Sequence, residues 1–358
     1  MYNGVINVYK EKGYTSHDVV ARMRGILKQK KAGHTGTLDP DAEGVLPVCL
    51  GQGTKLCDML TDKDKTYRTV LLLGRKTDTQ DTSGQILEER EVPLSEEEIR
   101  KAILSFEGPY NQIPPMYSAL KVNGRKLCDL ARQGQVVERK ARPVRIHSIE
   151  IEWMKLPRVG MTVSCSKGTY IRTLCCDIGE KLGCGGCMES LLRTATGGFR
   201  LEESRTLAQI EALERENRIS EVVIPVDEVL GTYPALQMKG KEGDKLLHNG
   251  NPFYRDMAEY TIFPQDKTVL ENKAASEHEI VSENQTAYED KTASKNQTAW
   301  ESLPFQKNQE SEKGRKSQML ETKGMPVRVY DSSGQFIGIY RYREEKHWFQ
   351  PQKIFAGG

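Results

Sequence analysis

Apolar and polar residues alternate in Gly4-Val5-Ile6-Asn7-Val8-Tyr9, the period of a half-buried strand, and a turn at Gly13 ends it. The period then lengthens. Val19, Val20, Met23, Ile26 and Leu27 recur on one helical face, and Thr15 with Asp18 makes a capping-box start for that helix. Thr66 to Leu73 reads as a strand, and Ser95 with Glu98 opens a second helix carrying Ile99, Ile103 and Phe106. Strand-like runs return at Val144-Arg145-Ile146 and Met161 to Cys165, and a last helix of this half falls near Leu207 to Leu213. Strands and helices mix without a strict βαβ rhythm, so an α+β sheet is expected rather than a doubly wound one.

Pro225 and Pro234 bracket a junction, which predicts one domain over 1–230 and a second over 231–358. In the second, Val327 to Tyr330 and Phe336 to Tyr340 flank Asp331-Ser332-Ser333-Gly334, the pattern of a hairpin in a small β-barrel. About 265–323 interrupts it. That stretch is rich in Glu, Lys, Ser, Asn, Gln and Thr and repeats Asn-Gln-Thr-Ala at 284–287 and 296–299. Such a composition buries too little apolar surface to offset its ordering entropy, so disorder or weak order is expected there.

At 358 residues the chain has room for two domains. No stretch approaches the ~20 apolar residues of a membrane span, and the opening is not that of an export signal, so a cytoplasmic protein is expected. The formal charge is only +2, but 265–323 holds 11 acidic and 9 basic residues and leaves a larger positive balance on the rest. Arg22, Arg24, Lys28, Lys30 and Lys31 form a basic run, either a solvated helix face or a phosphate grip. Eight cysteines include the cluster Cys175, Cys176, Cys184 and Cys187. No second pair of ligands stands at metal spacing, so reduced core thiols are expected and no metal.

The chemistry concentrates in Ala32-Gly33-His34-Thr35-Gly36-Thr37-Leu38-Asp39-Pro40-Asp41-Ala42-Glu43-Gly44-Val45-Leu46. Glycines at 33, 36 and 44 permit tight turns and close approach of a ligand, and Pro40 restricts the residue before it. Asp39 is then either a carboxylate on display or the cap of a turn, and the segment alone favours neither.

This segment, followed by Gly51-Gln52-Gly53-Thr54-Lys55, resembles the central motif of the TruB family of tRNA pseudouridine synthases. Four further stretches agree in order: Lys65-Thr66-Tyr67, Gln112 to Lys121, Ser166-Lys167-Gly168-Thr169-Tyr170-Ile171-Arg172, and Leu192-Arg193-Thr194 with Gly197-Gly198-Phe199. Ordered matches are more specific than any one alone. The resemblance spans roughly 4–230. It implies a pseudouridine synthase fold with a mixed, mainly antiparallel central sheet, a thumb-like RNA-binding insertion at about 111–140, and, more faintly, a C-terminal PUA-like β-barrel.

The resemblance also implies a reaction: isomerisation of uridine 55 in the T loop of tRNA by a flipped-base mechanism, with no cofactor and no metal, in a monomer whose partner is the T arm. Asp39 would be the nucleophile, attacking uracil C6 or ribose C1′. Arg172 would keep it charged, since burial raises a carboxyl pKa and an adjacent arginine lowers it. Tyr67 would stack on the base, and His34 would fill the space it leaves. Tyr170 and Leu192 would line the uracil pocket, and Lys10, Gly36 and Lys55 are further substrate-binding candidates. Lys10-Glu11-Lys12-Gly13 departs from the family's Lys-Pro-x-Gly, and Cys128 stands where tyrosine is common. Rival readings are a uridine in a ribosomal or small RNA, and a tRNA-folding module without turnover.

Overall fold

A computed structural model describes residues 1–122, 124–261 and 324–356. The low-complexity stretch at 265–323 lies outside them. The chain divides into two compact units, Met1–Ile224 and Pro225–Gly358.

The first unit is built on a nine-stranded sheet. Along it run Gly4–Lys10, Glu43–Leu50, Gly186–Thr196, Lys65–Leu73, Arg158–Cys165, Arg142–Lys155 and Gly108–Gln112, while Ala32–His34 pairs with Glu43–Leu50 and Phe199–Arg200 with Gly186–Thr196. Every pairing is antiparallel except Gly186–Thr196 against Glu43–Leu50, where Leu192 stands opposite Glu43 and Arg193 opposite Gly44. That one parallel contact joins the chain's first strands to the centre of the sheet.

Helices cover the sheet where the sequence supplies caps and stripes. Thr15 caps Ser16–Ile26 and Ser95 caps Glu96–Leu104, each with the reciprocal bond of a capping box. Substituting such a cap by Ala costs ~1 kcal/mol. Val19, Val20, Met23 and Leu27 pack with Ile6, Val8, Leu46 and Val48, and Ile210 of the helix Leu207–Arg215 closes that cluster. Ile99 and Ile103 pack instead with Leu71, Met161 and Val163, together with Leu174 and Ile178 of Ile171–Leu182.

The helix Ile171–Leu182 carries its stripe at Ile171, Leu174, Cys175, Ile178 and Leu182, but no side chain caps its start, where Tyr170 stands. Eight of its residues are buried, among them Arg172, Thr173, Cys175 and Cys176.

The second unit holds a six-stranded sheet in the order Phe253–Tyr254, Trp348–Ile354, Phe336–Arg343, Pro326–Tyr330, Ala235–Met238 and Ala258–Thr261, forming a half-barrel. Its hairpin turn is fixed by the Asp331 carboxylate, which accepts from the Ser333 and Gln335 amides at 3.0 and 2.9 Å.

Candidate active site

The loop 35–42 enters the site between two strand ends and is held from beneath. Lys10 is fully buried, and its ammonium donates to the carbonyls of Pro40 (3.0 Å), Glu11 (3.2 Å) and Ala42. Arg193, also fully buried, donates through Nε to the Val45 carbonyl at 2.6 Å and through Nη2 to that of Gly36 at 3.3 Å. Gly44 adopts φ +103°, and a Cβ there would strike the Arg193 carbonyl. Gly36 likewise needs its φ of +144°, whereas Gly33 sits in strand Ala32–His34 and no positive φ requires it.

The loop delivers Asp39 to Arg172. Arg172 lies in the first turn of Ile171–Leu182 with 5% of its side chain exposed, and its Nε meets Asp39 Oδ2 at 3.0 Å. Two further donors are spent on the fold, one of Nη1 on the Thr79 carbonyl (3.1 Å) and one of Nη2 on that of Tyr117 (2.7 Å). The fork is thereby locked, as a planar five-donor group allows. Nη1 also lies 3.9 Å from Asp81 Oδ2, so two carboxylates share one guanidinium.

Asp39 keeps 39% of its side chain exposed towards the cavities. Loss of solvent still pushes its carboxyl above the ordinary aspartate range and the Asp81 charge adds to this, while Arg172 and Lys10 oppose it. Removing water disfavours the anion, and the nearby cations restore part of what it loses. The same physics acts on the cations: burial brings Lys10 down to about 8, and Lys65 down to about 8.

Two cavities meet at Asp39, and Thr37, Leu38, Asp39 and Arg172 border both. One, of about 680 Å³, is lined by Gly36, Lys65, Tyr67, Lys167, Tyr170 and Arg193. Tyr67 is 8% exposed on strand Lys65–Leu73, and burial raises its phenol above the usual range, with Arg193 opposing. Tyr170 is fixed through its backbone by Gln112, whose amide accepts from the Tyr170 N–H at 2.7 Å and donates to its carbonyl at 2.9 Å. The other cavity, of about 970 Å³, takes in Tyr9, Lys12, His17, Leu192 and Trp153.

The fold thus brings Asp39, Arg172, Tyr67, Tyr170, Leu192 and Gly36 to one place. Lys10 lies outside both cavities: its ammonium is buried and donates to three carbonyls of the loop and its neighbour. Lys55 sits in the 3-10 turn Gly51–Leu56 and His34 at the end of its strand, and neither lines the two cavities. His34 instead accepts from the Gly36 amide at Nδ1 (3.3 Å) and packs edge-on against His17. Burial lowers its pKa, so the ring is held neutral.

The sequence reading gives Asp81 and Arg193 no role, although Arg193 stands in the matched stretch Leu192-Arg193-Thr194. Asp81 had a signal: Thr77-Asp78-Thr79-Gln80-Asp81-Thr82-Ser83-Gly84 is the same kind of small, polar, turn-forming run that exposed Asp39. All eight cysteines are free, and the clustered four are buried, with thiols of Cys175, Cys176 and Cys187 raised by burial. Among the described residues no group of three His, Cys, Asp or Glu side chains could hold a metal ion, and no helix is long and apolar enough to cross a membrane.

Comparison with known proteins gives the chain's relatives. Residues 24–171 match the model of the TruB family pseudouridylate synthase N-terminal domain, and 172–231 that of the tRNA pseudouridylate synthase B C-terminal domain. The tRNA pseudouridine synthase B of Lachnoclostridium phytofermentans is 46% identical over 99% of both chains. That of Alkaliphilus oremlandii is 50% identical over 73% of this chain and 86% of its own. In fold, the chain is similar to a chain of a Cbf5-Nop10-Gar1 complex, with TM-score 0.62 and 22% identity over 99% of this chain and 85% of the other.

Proposed function

Because the chain belongs to the TruB family of tRNA pseudouridine synthases, we propose that Asp39 is the nucleophile with which it isomerises uridine to pseudouridine at position 55, in the T loop of tRNA. The observation that carries this assignment is the 3.0 Å contact from the buried Arg172 to a carboxylate standing where two cavities meet. A carboxylate partly stripped of water is a better nucleophile than a solvated one, provided a cation keeps it ionised.

In this reading the target uridine leaves its stack and enters the smaller cavity against Tyr67, with Tyr170 beside it. Extruding a base costs a few kcal/mol, and an aromatic stack returns ~1–3 of it. Asp39 attacks C6 of uracil or C1′ of ribose; the C1′–N1 bond breaks, the ring turns, and C5 bonds to C1′, with Asp39 released as the carboxylate, displaced from C1′ on the one route or eliminated from C6 on the other. The C5 proton is lost and N1 gains one, so nothing is consumed and no cofactor enters. In this reading Tyr67 helps remove that proton, which needs its phenolate: burial disfavours that form and the neighbouring Arg193 favours it. His34 fills the space the base leaves, Leu192 borders the larger cavity, and Lys10 acts by holding the loop.

The half-barrel of the second unit is read as a PUA-like RNA-binding domain and 111–140 as a thumb over the T arm, in a cytoplasmic protein acting as a monomer. The test is T-arm RNA tritiated at uracil C5. Wild type should release tritium and Asp39→Asn should not; release that survives in the variant removes Asp39 from the role.

A further inference from the structure

The larger cavity runs from Asp39 across strands Lys65–Leu73, Arg158–Cys165 and Arg142–Lys155 as far as Trp153. A β-bulge between Ile151 and Trp153 interrupts the register there, and the successive residues Glu152 and Trp153 both line the cavity. Bulges re-aim side chains in this way. Trp153 stands opposite Gly160, and its indole lies so close to that backbone that a Cβ at Gly160 would fall within the ring. The indole is thus seated on one side, yet Trp153 keeps 37% of its surface exposed.

Charge around it is already spent. Glu152 is paired with Arg68 at 2.9 Å and Glu189 with Arg158 at 2.9 Å. This end of the cleft therefore offers an aromatic face between neutralised ion pairs, which suits the face of a base better than a phosphate. Because Asp39 borders both cavities, a nucleotide whose base enters the Tyr67 side leaves the Trp153 side to another part of the same RNA.

We propose that Trp153 is a stacking platform for an unpaired base of the substrate RNA other than the target uridine. The inference rests on reading the cleft as the RNA site. It is tested in the full chain with Trp300→Phe and Trp348→Phe, which leaves Trp153 as the one indole of three. Saturating T-arm RNA should quench its emission. In a parallel series Trp153→Ala should raise KM about 5- to 150-fold, the worth of one base–aromatic stack, with little change in kcat, and Trp153→Phe should recover most of it. Emission that ignores the RNA overturns the platform, and so does an unchanged KM in the alanine variant. The emission titration leaves position 153 intact, so it decides the matter even if Trp153→Ala is unstable. Wild-type chain that fails to turn over T-arm RNA counts against the reading of the cleft itself; turnover with an unresponsive Trp153 counts against the platform alone.

Discussion

Replacing Arg172 by lysine keeps a positive charge beside Asp39 and removes the fork. The guanidinium serves three partners at once, Asp39 at 3.0 Å, the Thr79 carbonyl at 3.1 Å and the Tyr117 carbonyl at 2.7 Å. An ammonium is a compact charge that cannot span all three, so at least one carbonyl goes unpaired, at ~1–3 kcal/mol. We expect Arg172→Lys to fold with stability lower by about 2 kcal/mol. Its kcat should fall about 10²-fold, as a displacement on the order of 1 Å at a reacting group does. Arg172→Met goes further, because the charge is lost as well. Arg172 opposes the desolvation that raises the Asp39 pKa, so without it the carboxyl rises further and the acidic limb of kcat/KM moves to higher pH. In Arg172→Lys that limb should move much less. Single-turnover tritium release from T-arm RNA across the acid-to-neutral range reads both quantities. An acidic limb that stays put in Arg172→Met, or a native rate in Arg172→Lys, would refute the account of how Asp39 is kept ionised.

Asp39→Asn should abolish turnover without lowering the melting temperature at neutral pH. A carboxyl whose pKa is raised on folding contributes stability below the ordinary aspartate range and loses it as pH rises, so the melting temperature of wild type relative to the variant should decline from acid to neutral pH; a gap that widens in favour of wild type would reverse the sign. Lys10→Met should lower kcat about 10-fold by freeing the Pro40 and Ala42 carbonyls, with KM unchanged; a rise in KM alone would show that Lys10 touches RNA after all. Tyr67→Phe keeps the stacking face and removes the hydroxyl, so kcat should fall about 10²- to 10⁴-fold while KM holds, and a native kcat would leave the phenol with no part in proton transfer.

What could be read in the sequence was what local rules govern. The capping boxes at Thr15 and Ser95, the stripe from Val19 to Leu27 and the alternation in Lys65–Leu73 each repeat a short-range pattern that the fold then uses. The helix Ile171–Leu182 and strand Gly186–Thr196 escaped the same rules. The helix has a stripe from Ile171 to Leu182 but no capping side chain to mark its start, and it buries Arg172 and Thr173 beside the stripe; the strand carries the buried Arg193 and two register shifts, which break its alternation. Arg172 was legible only through the motif around it. Its chain position gives no hint that it is buried, because what buries it comes from Thr79, Asp81 and Tyr117, far away in sequence.

Lys10, Arg172 and Arg193 also show why such a site resists reading from local pattern. All three are buried cations, and between them they donate to the carbonyls of Glu11, Gly36, Pro40, Ala42, Val45, Thr79 and Tyr117. Burying a cation on neutral carbonyls costs stability that an apolar side chain would not. That cost makes sense if the loop must hold a carboxylate still in a partly dry cavity, where Lys10 and Arg172 also lower its pKa. Two of these cations lie under or beside the loop and one touches the carboxylate, so geometry and charge are supplied by the same side chains. Substitutions at Lys10 should therefore act on turnover through the position of Asp39 and leave RNA affinity alone, whereas substitutions at Trp153 should do the reverse. A double variant, Lys10→Met with Trp153→Ala, should show the two effects multiplying, because the residues share no contact and independent sites add in free energy.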